Sequence, residues 1–283
     1  MSQIQWYPGH MTKAKRTIQE AVEIVDLVIV VLDARIPSTS YNPEFRKILG
    51  KKPQLIVLNK EDMANPIQTK KWLAYYKSKG FGAVALNAQQ KQGIKDLLKT
   101  ASDMAEPVLA ALEAKGRKRR PIRAMVVGSP NTGKSTLINA LMPKATSKTG
   151  NKPGVTRGKQ WVRVNDKIEL LDTPGILWPK FENADIAFAL AVTGAISNEV
   201  YSNLDVSLEL VDKLRKFQPN PIDARYKIEC GDKTALEIIE AIGRARGMLA
   251  QGGKVIAEEV ATIFLAEFRN GKLGRFTLDE VSR

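Results

Sequence analysis

Two hydrophobic periods alternate along the first part of the chain. Ile18, Ala21, Val22 and Val25 recur at helical spacing, which predicts an amphipathic helix over residues 12–25. Residues 27–32 are apolar at every position, the pattern of a strand buried on both faces. Residues 54–58, entered after Pro53, and residues 82–86 read as two further strands. Residues 67–79, with Pro66 at their start, and residues 94–104 read as helices. Strands alternating with helices predict parallel βαβ units and an α/β sheet. A polar, basic stretch from Pro107 to Pro121, partly helical over residues 108–115, reads as a connector. Beyond it come a strand over residues 122–127 and a glycine-rich turn into a helix that starts near Lys134. A hairpin of residues 160–164 and 167–171, turning at Asn165 and Asp166, follows. After Trp178 and Pro179 the alternation stops. Residues 186–195, 204–216, 235–248 and 254–268 all carry helical spacing, with no convincing strand between them. The expected fold is α/β, a mostly parallel sheet over residues 1–179, followed by a smaller all-helical domain over residues 180–283.

Composition adds limits and one direction. The chain has 283 residues, 43% of them hydrophobic, enough for one large domain or two ordinary ones. No apolar run reaches the roughly 18 residues of a membrane span. The N-terminus lacks the apolar core of a secretory signal, so a cytoplasmic protein without a membrane partner is expected. Cys230 is the only cysteine, which excludes an internal disulfide and suits a small core side chain in a reducing compartment. The net charge of +14 matters through its placement. No acidic residue stands between Glu113 and Asp166, a stretch that carries 13 lysines and arginines. Focused positive charge attracts polyanions through counterion release, so a nucleic-acid partner is expected, with a solvated basic surface as the alternative.

The candidate chemistry lies at strand ends. Gly128-Ser129-Pro130-Asn131-Thr132-Gly133-Lys134-Ser135 matches G-x-x-x-x-G-K-[ST], between an apolar strand and a helix. Glycines let such a backbone curl so that several N–H groups, Thr132 and Gly133 among them, face one phosphate, and the helix N-terminus adds partial positive charge. Lys134 is expected to reach the β and γ phosphates and the Ser135 hydroxyl to hold Mg²⁺. Thr136 completes this nucleotide-binding set. Asn59-Lys60-Glu61-Asp62 follows the strand over residues 54–58 and matches N-K-x-D, the guanine-specific signature of GTPases. The Asp62 carboxylate can accept from guanine N1–H and the exocyclic amine together, a donor pair that adenine lacks. Lys60 can pack its stem over the base. Asn59 can bond the base edge or hold neighbouring loops. Asn87-Ala88-Gln89 occupies the place of the S-A-[KL] loop, where the Ala88 N–H would meet guanine O6 and Asn87 replaces serine.

Asp172-Thr173-Pro174-Gly175 follows the strand over residues 167–171 as D-x-x-G, offering the Asp172 carboxylate to Mg²⁺ and the Gly175 N–H to the γ phosphate. Thr156 is the candidate switch threonine for Mg²⁺. The order is permuted. An ordinary GTPase presents the phosphate loop first and N-K-x-D last, whereas here Asn59–Asp62 and Ala88 precede Gly128–Ser135, Thr156 and Asp172–Gly175. Either order builds one site, because the motifs meet in space.

The permuted order, with Trp6-Tyr7-Pro8-Gly9-His10-Met11, Asp33-Ala34-Arg35-Ile36-Pro37, Pro153-Gly154-Val155-Thr156, Asp172-Thr173-Pro174-Gly175-Ile176-Leu177-Trp178-Pro179 and Gly271-Lys272-Leu273-Gly274-Arg275, resembles the circularly permuted bacterial ribosome biogenesis GTPase A (YlqF) family. The resemblance spans essentially the whole chain. It implies a cytoplasmic P-loop GTPase that binds GTP or GDP and Mg²⁺; a monomer is expected. It further implies a role in late assembly of the large ribosomal subunit and contact with its rRNA. In GTPases that this phosphate loop resembles, the asparagine at Asn131 can ligand K⁺; a loop hydrogen bond is its other reading. Ile176 stands where many GTPases place a water-orienting glutamine, and isoleucine cannot do that work. His10, the only histidine, lies in the P-G-H-M segment and is the candidate to orient or deprotonate water, with a structural role as the alternative. Lys134, Thr156 and Gly175 complete the candidate catalytic set. Arg244, Arg246, Lys254, Arg269, Lys272 and Arg275 form a basic set near the end of the helical region, read, chiefly through the resemblance, as RNA-facing, with a solvated helical bundle as the alternative. A GTP-dependent module that recruits a protein with little hydrolysis is the competing reading.

Overall fold

The computed structural model describes residues 9–142, 161–171, 184–217 and 219–281, with side chains from Arg16 onward. These fall into two compact units. One contains residues 9–142, 161–171 and 277–281; the other contains 184–217 and 219–276.

The first unit is built on a sheet of six strands among the described residues: β1 (Leu27–Asp33), β2 (Gln54–Asn59), β3 (Gly82–Leu86), β4 (Ile122–Val127), β5 (Trp161–Arg163) and β6 (Ile168–Leu171). Their order is β3-β2-β1-β4-β6-β5, parallel throughout except for β5, which runs antiparallel to β6. Asn165 Oδ1 closes the β5–β6 turn by accepting from the N–H groups of Lys167 and Ile168 at 2.8 and 2.9 Å. β1 is buried at all seven positions because helices cover both faces of the sheet. Alternate residues enter different cores. Leu27, Ile29 and Val31 meet α4 (Ile94–Glu113) and α5 (Lys134–Leu141) on one face. Val28, Val30 and Leu32 meet α1 (Gly9–Val22), α2 (Glu44–Leu49) and α3 (Pro66–Ser78) on the other. Each such side chain, fully buried, contributes about 1.5–3 kcal/mol.

The topology positions the site. From β1 the connections run outward to β2 and β3; from β4 the sheet continues the opposite way, to β6 and β5. A crevice opens at the carboxyl ends of strands where the winding reverses, here between β1 and β4.

Three expectations change. α1 begins and ends about a turn earlier than its apolar spacing indicates, and Val25 belongs to the approach to β1. α4 does not stop near Met104 but continues through Pro107 to Glu113. Proline there removes one helical hydrogen bond. Leu97, Ala101, Ala105 and Leu109, buried every four residues, carry the helix past it. α2 has no counterpart in the sequence reading; Phe45 and Leu49 anchor its six residues.

The second unit contains α6 (Ala184–Val192), α7 (Asn203–Leu214), α8 (Pro221–Tyr226), α9 (Ala235–Ala245) and α10 (Ala257–Arg269). No strand occurs among its described residues, only a bridge between Leu249 and Val255. Ser202, Asn220 and Thr234 cap α7, α8 and α9, the last as a reciprocal box with Glu237. Leu210, Ile238, Ile242 and Phe264 are fully buried between the helices. Cys230 is a buried free thiol. Glu267, also buried, accepts from Arg225 at 2.9 and 3.0 Å, from Tyr226 at 3.0 Å, and from Arg246. Burial opposes its charge, but the bonds from Arg225, Arg246 and Tyr226 outweigh that and pull its carboxyl down to about 2. The basic set read as RNA-facing therefore includes structural members. Arg246 is spent on Glu267. Arg269 donates to Ala191 O at 2.8 Å and to the Tyr201 hydroxyl at 2.7 Å. The same holds for part of the basic stretch around the connector, where Arg120 grips Asp26 at 2.7 and 2.9 Å and Arg119 pairs with Glu106 and Glu113. Residues 277–281, assigned by sequence to the helical domain, lie instead with the first unit.

Candidate nucleotide site

Three loops converge at the carboxyl ends of β1, β2 and β4. The phosphate loop leaves β4 at Gly128, where an added Cβ would stand 2.3 Å from Val31 O; only glycine lets this loop lie against β1. Thr132 Oγ1 donates to Ser129 O at 2.9 Å, and Ser129 Oγ donates to Ser40 O at 2.8 Å, so the loop is pinned from within and below. Gly133 has φ +94°, and a Cβ there would stand 2.2 Å from Asn59 Nδ2. It caps α5 without a side-chain bond, which leaves the first N–H groups of the helix open to an anion. Lys134, half-buried, donates to Ser129 O at 2.7 Å. Burial, and then the neighbouring Lys60, push its ammonium down to about 8. Ser135 and Thr136 are exposed on the first turn of α5.

Asn59 ends β2 as a buried bridge. Its Nδ2 donates to Thr132 O at 2.8 Å, and its Oδ1 accepts the Ala88 N–H at 3.0 Å. Of its two sequence readings, the structure realises the one in which Asn59 holds neighbouring loops. The Ala88 N–H, assigned by sequence to guanine O6, donates instead to Asn59, so a contact with O6 would have to share that bond. Asn87 organises the same turn: its Oδ1 accepts from Gln90 N at 3.0 Å, and its backbone pairs with Gln92.

Lys60 adopts φ +61°, a left-handed turn that swings its side chain back across the site. Its Nζ donates to Asn131 O at 2.6 Å and to Asp33 Oδ2 at 2.8 Å. Asp33, at the end of β1, also receives Arg35 Nε at 2.9 Å and Nη2 at 2.7 Å. Burial works against its ionisation, but Arg35 and then Lys60 hold the Asp33 carboxyl far below the ordinary carboxylate range. Asp62 stands exposed on a single 3-10 turn, Glu61–Met63, and its charge is felt by Arg35.

The structure thus brings together Asn59, Lys60, Asn87, Ala88, Gly128, Asn131, Thr132, Gly133 and Lys134. Thr156, Asp172 and Gly175 lie outside the described residues, as does the side chain of His10, whose backbone opens α1. Among the described residues no group of three or more His, Cys, Asp or Glu side chains is placed to hold a metal. Of the three expected Mg²⁺ ligands only Ser135 is described; an exposed hydroxyl at a helix start is a hard oxygen donor of the kind Mg²⁺ takes. Sequence reasoning missed Asp33, Arg35 and Ser40 as parts of the site, and gave Ser129 no role of its own within the phosphate loop. The signal was present in Asp33-Ala34-Arg35, a charge pair placed directly after a wholly apolar strand.

Two family models match. One described as RsgA GTPase covers residues 10–182, and one described as 50S ribosome-binding GTPase covers residues 123–243. A ribosome biogenesis GTPase A from Priestia megaterium is 43% identical over 280 residues, spanning 99% of this chain and 97% of that protein. Another from Thermotoga maritima is 33% identical over 278 residues, spanning 98% and 94%. Among solved structures, GDP-bound TM YlqF aligns with a TM-score of 0.68 at 28% identity, covering 94% of this chain and 99% of that one. GNP-bound YlqF from T. maritima aligns with a TM-score of 0.68 at 30% identity, covering 95% and 98%.

Proposed function

The chain belongs to the ribosome biogenesis GTPase A family and is a GTP-hydrolysing enzyme with a circularly permuted domain; from that premise we propose that it switches on the large ribosomal subunit during late assembly and contacts rRNA there. The nucleotide reading rests above all on Asn59, one buried side chain that ties the base-reading strand end to both the phosphate loop and the Ala88 loop. The subunit reading draws support from the family model described as 50S ribosome-binding, which matches residues 123–243, and from the exposed cations Lys115, Arg117 and Lys118 in the segment between α4 and β4.

In this reading Asp62 accepts from the guanine edge, Lys60 packs along the base, and Asn87 and Ala88 shape the far wall. The α5 N-terminus, with Thr132, Gly133 and Thr136, receives the phosphates. Lys134 exchanges the Ser129 carbonyl for phosphate oxygens when nucleotide enters, and Gly175 N–H meets the γ phosphate. Ser135, Thr156 and Asp172 would hold Mg²⁺, which supplies neutralisation of charge on the β and γ oxygens when bound. Asn131 would hold K⁺ beside them. His10 orients the attacking water, since Ile176 cannot. The protein works as a cytoplasmic monomer.

The test is sedimentation of the purified protein with each ribosomal subunit, with GDP and with a non-hydrolysable GTP analogue, at physiological salt. Salt must be controlled because a chain of charge +14 binds any RNA in dilute buffer. Selective, analogue-dependent binding to the large subunit is expected. Indifference to subunit or nucleotide would overturn the proposal. Turnover unaffected by the large subunit would favour a GTP-dependent module that recruits a protein.

A further inference from the structure

The chain leaves the helical unit after Phe276 and re-enters the nucleotide unit at Thr277. Phe276 is buried within the helical unit, against Phe268 and Phe217. From the next residue on, the segment binds loops of the nucleotide unit. Leu278 N donates to Arg35 O at 2.8 Å, beside the Asp33–Arg35 pair. Thr277 Oγ1 accepts from Asn65 N at 3.2 Å; Asn65 caps α3 and follows Asp62 by three residues. Asp279 takes Thr39 N at 2.7 Å on one carboxylate oxygen and the Thr39 hydroxyl at 2.9 Å on the other, and its carbonyl accepts from Trp72 Nε1 at 3.3 Å.

These bonds close a ring. Arg35 grips Asp33, Asp33 grips Lys60, Lys60 leads through the 3-10 turn to Asp62 and Asn65, and the terminal segment joins Asn65 back to Arg35. The turn that carries Asp62 has no side-chain cap at Lys60 and little buried surface of its own. A carboxylate that must meet two donors of one base gains from being ordered before the base arrives, because ordering it on binding costs affinity.

We propose that residues 277–279 are a brace for the guanine-reading turn, so that docking of this segment sets affinity and selectivity for guanine. The inference rests on the reading of Asp62 as the base contact. Linkage makes the effect reciprocal: guanine nucleotide strengthens docking of the segment by the factor that docking strengthens nucleotide. The brace acts first on base recognition, since its bonds reach the Asp33–Arg35 and Asn65 loops, and reaches the phosphate loop only indirectly, through Lys60 and its bond to Asn131 O.

The test is a comparison of GDP with inosine diphosphate, which lacks the exocyclic amine, by titration against the full-length protein and the T277A/D279A variant. Loss of about tenfold in GDP affinity is expected, with a smaller loss for inosine diphosphate, so that selectivity falls. Hydrogen exchange at Leu278 and Asn65 in the wild type is expected to slow when GDP binds. Unchanged GDP affinity and unchanged selectivity in a folded variant would overturn the brace. Should the double variant misfold, D279N, which keeps side-chain volume and one acceptor oxygen, is expected to lose about threefold in GDP affinity, and no loss in it would overturn the brace equally. D62N separates the two readings. If D62N fails to trade guanine for xanthine preference, the base contact itself is misassigned; if it makes that trade while the tail variants do nothing, the brace alone is wrong.

Discussion

Asp33 and Glu267 are both buried carboxylates, each gripped by two cations, and they serve different ends. The arginines on Glu267 converge on it from α8 and the end of α9, and with Tyr226 they complete a clamp inside the helical unit. Asp33 also has a sealed partner, Arg35, whose side chain is 2% exposed. Its second cation passes the contact on, because Lys60 reaches Asn131 O in the phosphate loop. A buried ion pair alone does not mark a site. The direction of the last hydrogen bond does, and of these two networks only that of Asp33 ends on a loop shaped for an anion.

That contrast can be broken by substitution. The largest effect is expected for Asp33→Ala, which strands the sealed Arg35. Leaving a buried charge unpaired costs about 3–5 kcal/mol. Urea unfolding is expected to register that loss, and GDP titration a weakening of more than about tenfold as Lys60 loses its anchor. Unaltered GDP binding would reduce Asp33 to a purely structural pair. Glu267→Ala comes next, at about 2–3 kcal/mol, because Arg225 and Arg246 are near enough to the surface to regain water. Here GDP affinity is expected to hold, and a drop in it would erase the distinction between the two networks. Gly133→Ala tests the phosphate-loop end of the Asp33 side. A Cβ at φ +94° and 2.2 Å from Asn59 Nδ2 carries strain of about 1–3 kcal/mol, and the displaced Asn59 is expected to release the Ala88 loop. Loss of GDP binding with little change in the melting of the helical unit would fit.

A pH dependence sharpens the same contrast. Glu267 has its carboxyl lowered from 4.5 to about 2, so its contribution is fully present above the unfolded value and is lost as pH falls through the folded one. Stability of the helical unit is expected to decline between pH 4.5 and 2, and Glu267→Gln is expected to flatten that decline. Thermal melting across that window, followed by circular dichroism, reads it directly.

Much of the nucleotide unit was legible because its physics is local. β1 through β4 are buried deeply enough to leave apolar runs, and the phosphate loop lies between one of them and a helix. Asn59 was legible as a residue, whereas its double hydrogen bond was not, since Thr132 and Ala88 lie 73 and 29 positions away. The persistence of α4 beyond Pro107 depends on a packing stripe that outweighs one lost bond. Arg246 and Arg269 read as surface cations because their partners come from other elements and, for Arg269, are largely backbone carbonyls. The docking of Thr277, Leu278 and Asp279 has no periodic signature at all. Its side-chain bonds reach places 207 to 243 residues distant, with no pattern that a window along the chain could register.

The central place of β1 has a consequence during synthesis. Its pairing partner on one side, β2, follows within a few dozen residues, but its partner on the other side, β4, begins only at Ile122. At about 5–20 residues per second, β1 waits roughly 5–20 s for β4 after Asp33 has been added. During that interval an apolar strand offers an open edge of backbone donors and acceptors, the arrangement that templates pairing with other chains. For β1 the hazard thus falls on the growing chain, since in the finished sheet β2 and β4 cover both of its edges. A nascent chain halted between Asp33 and Ile122 is the form of the molecule most in need of protection from its neighbours.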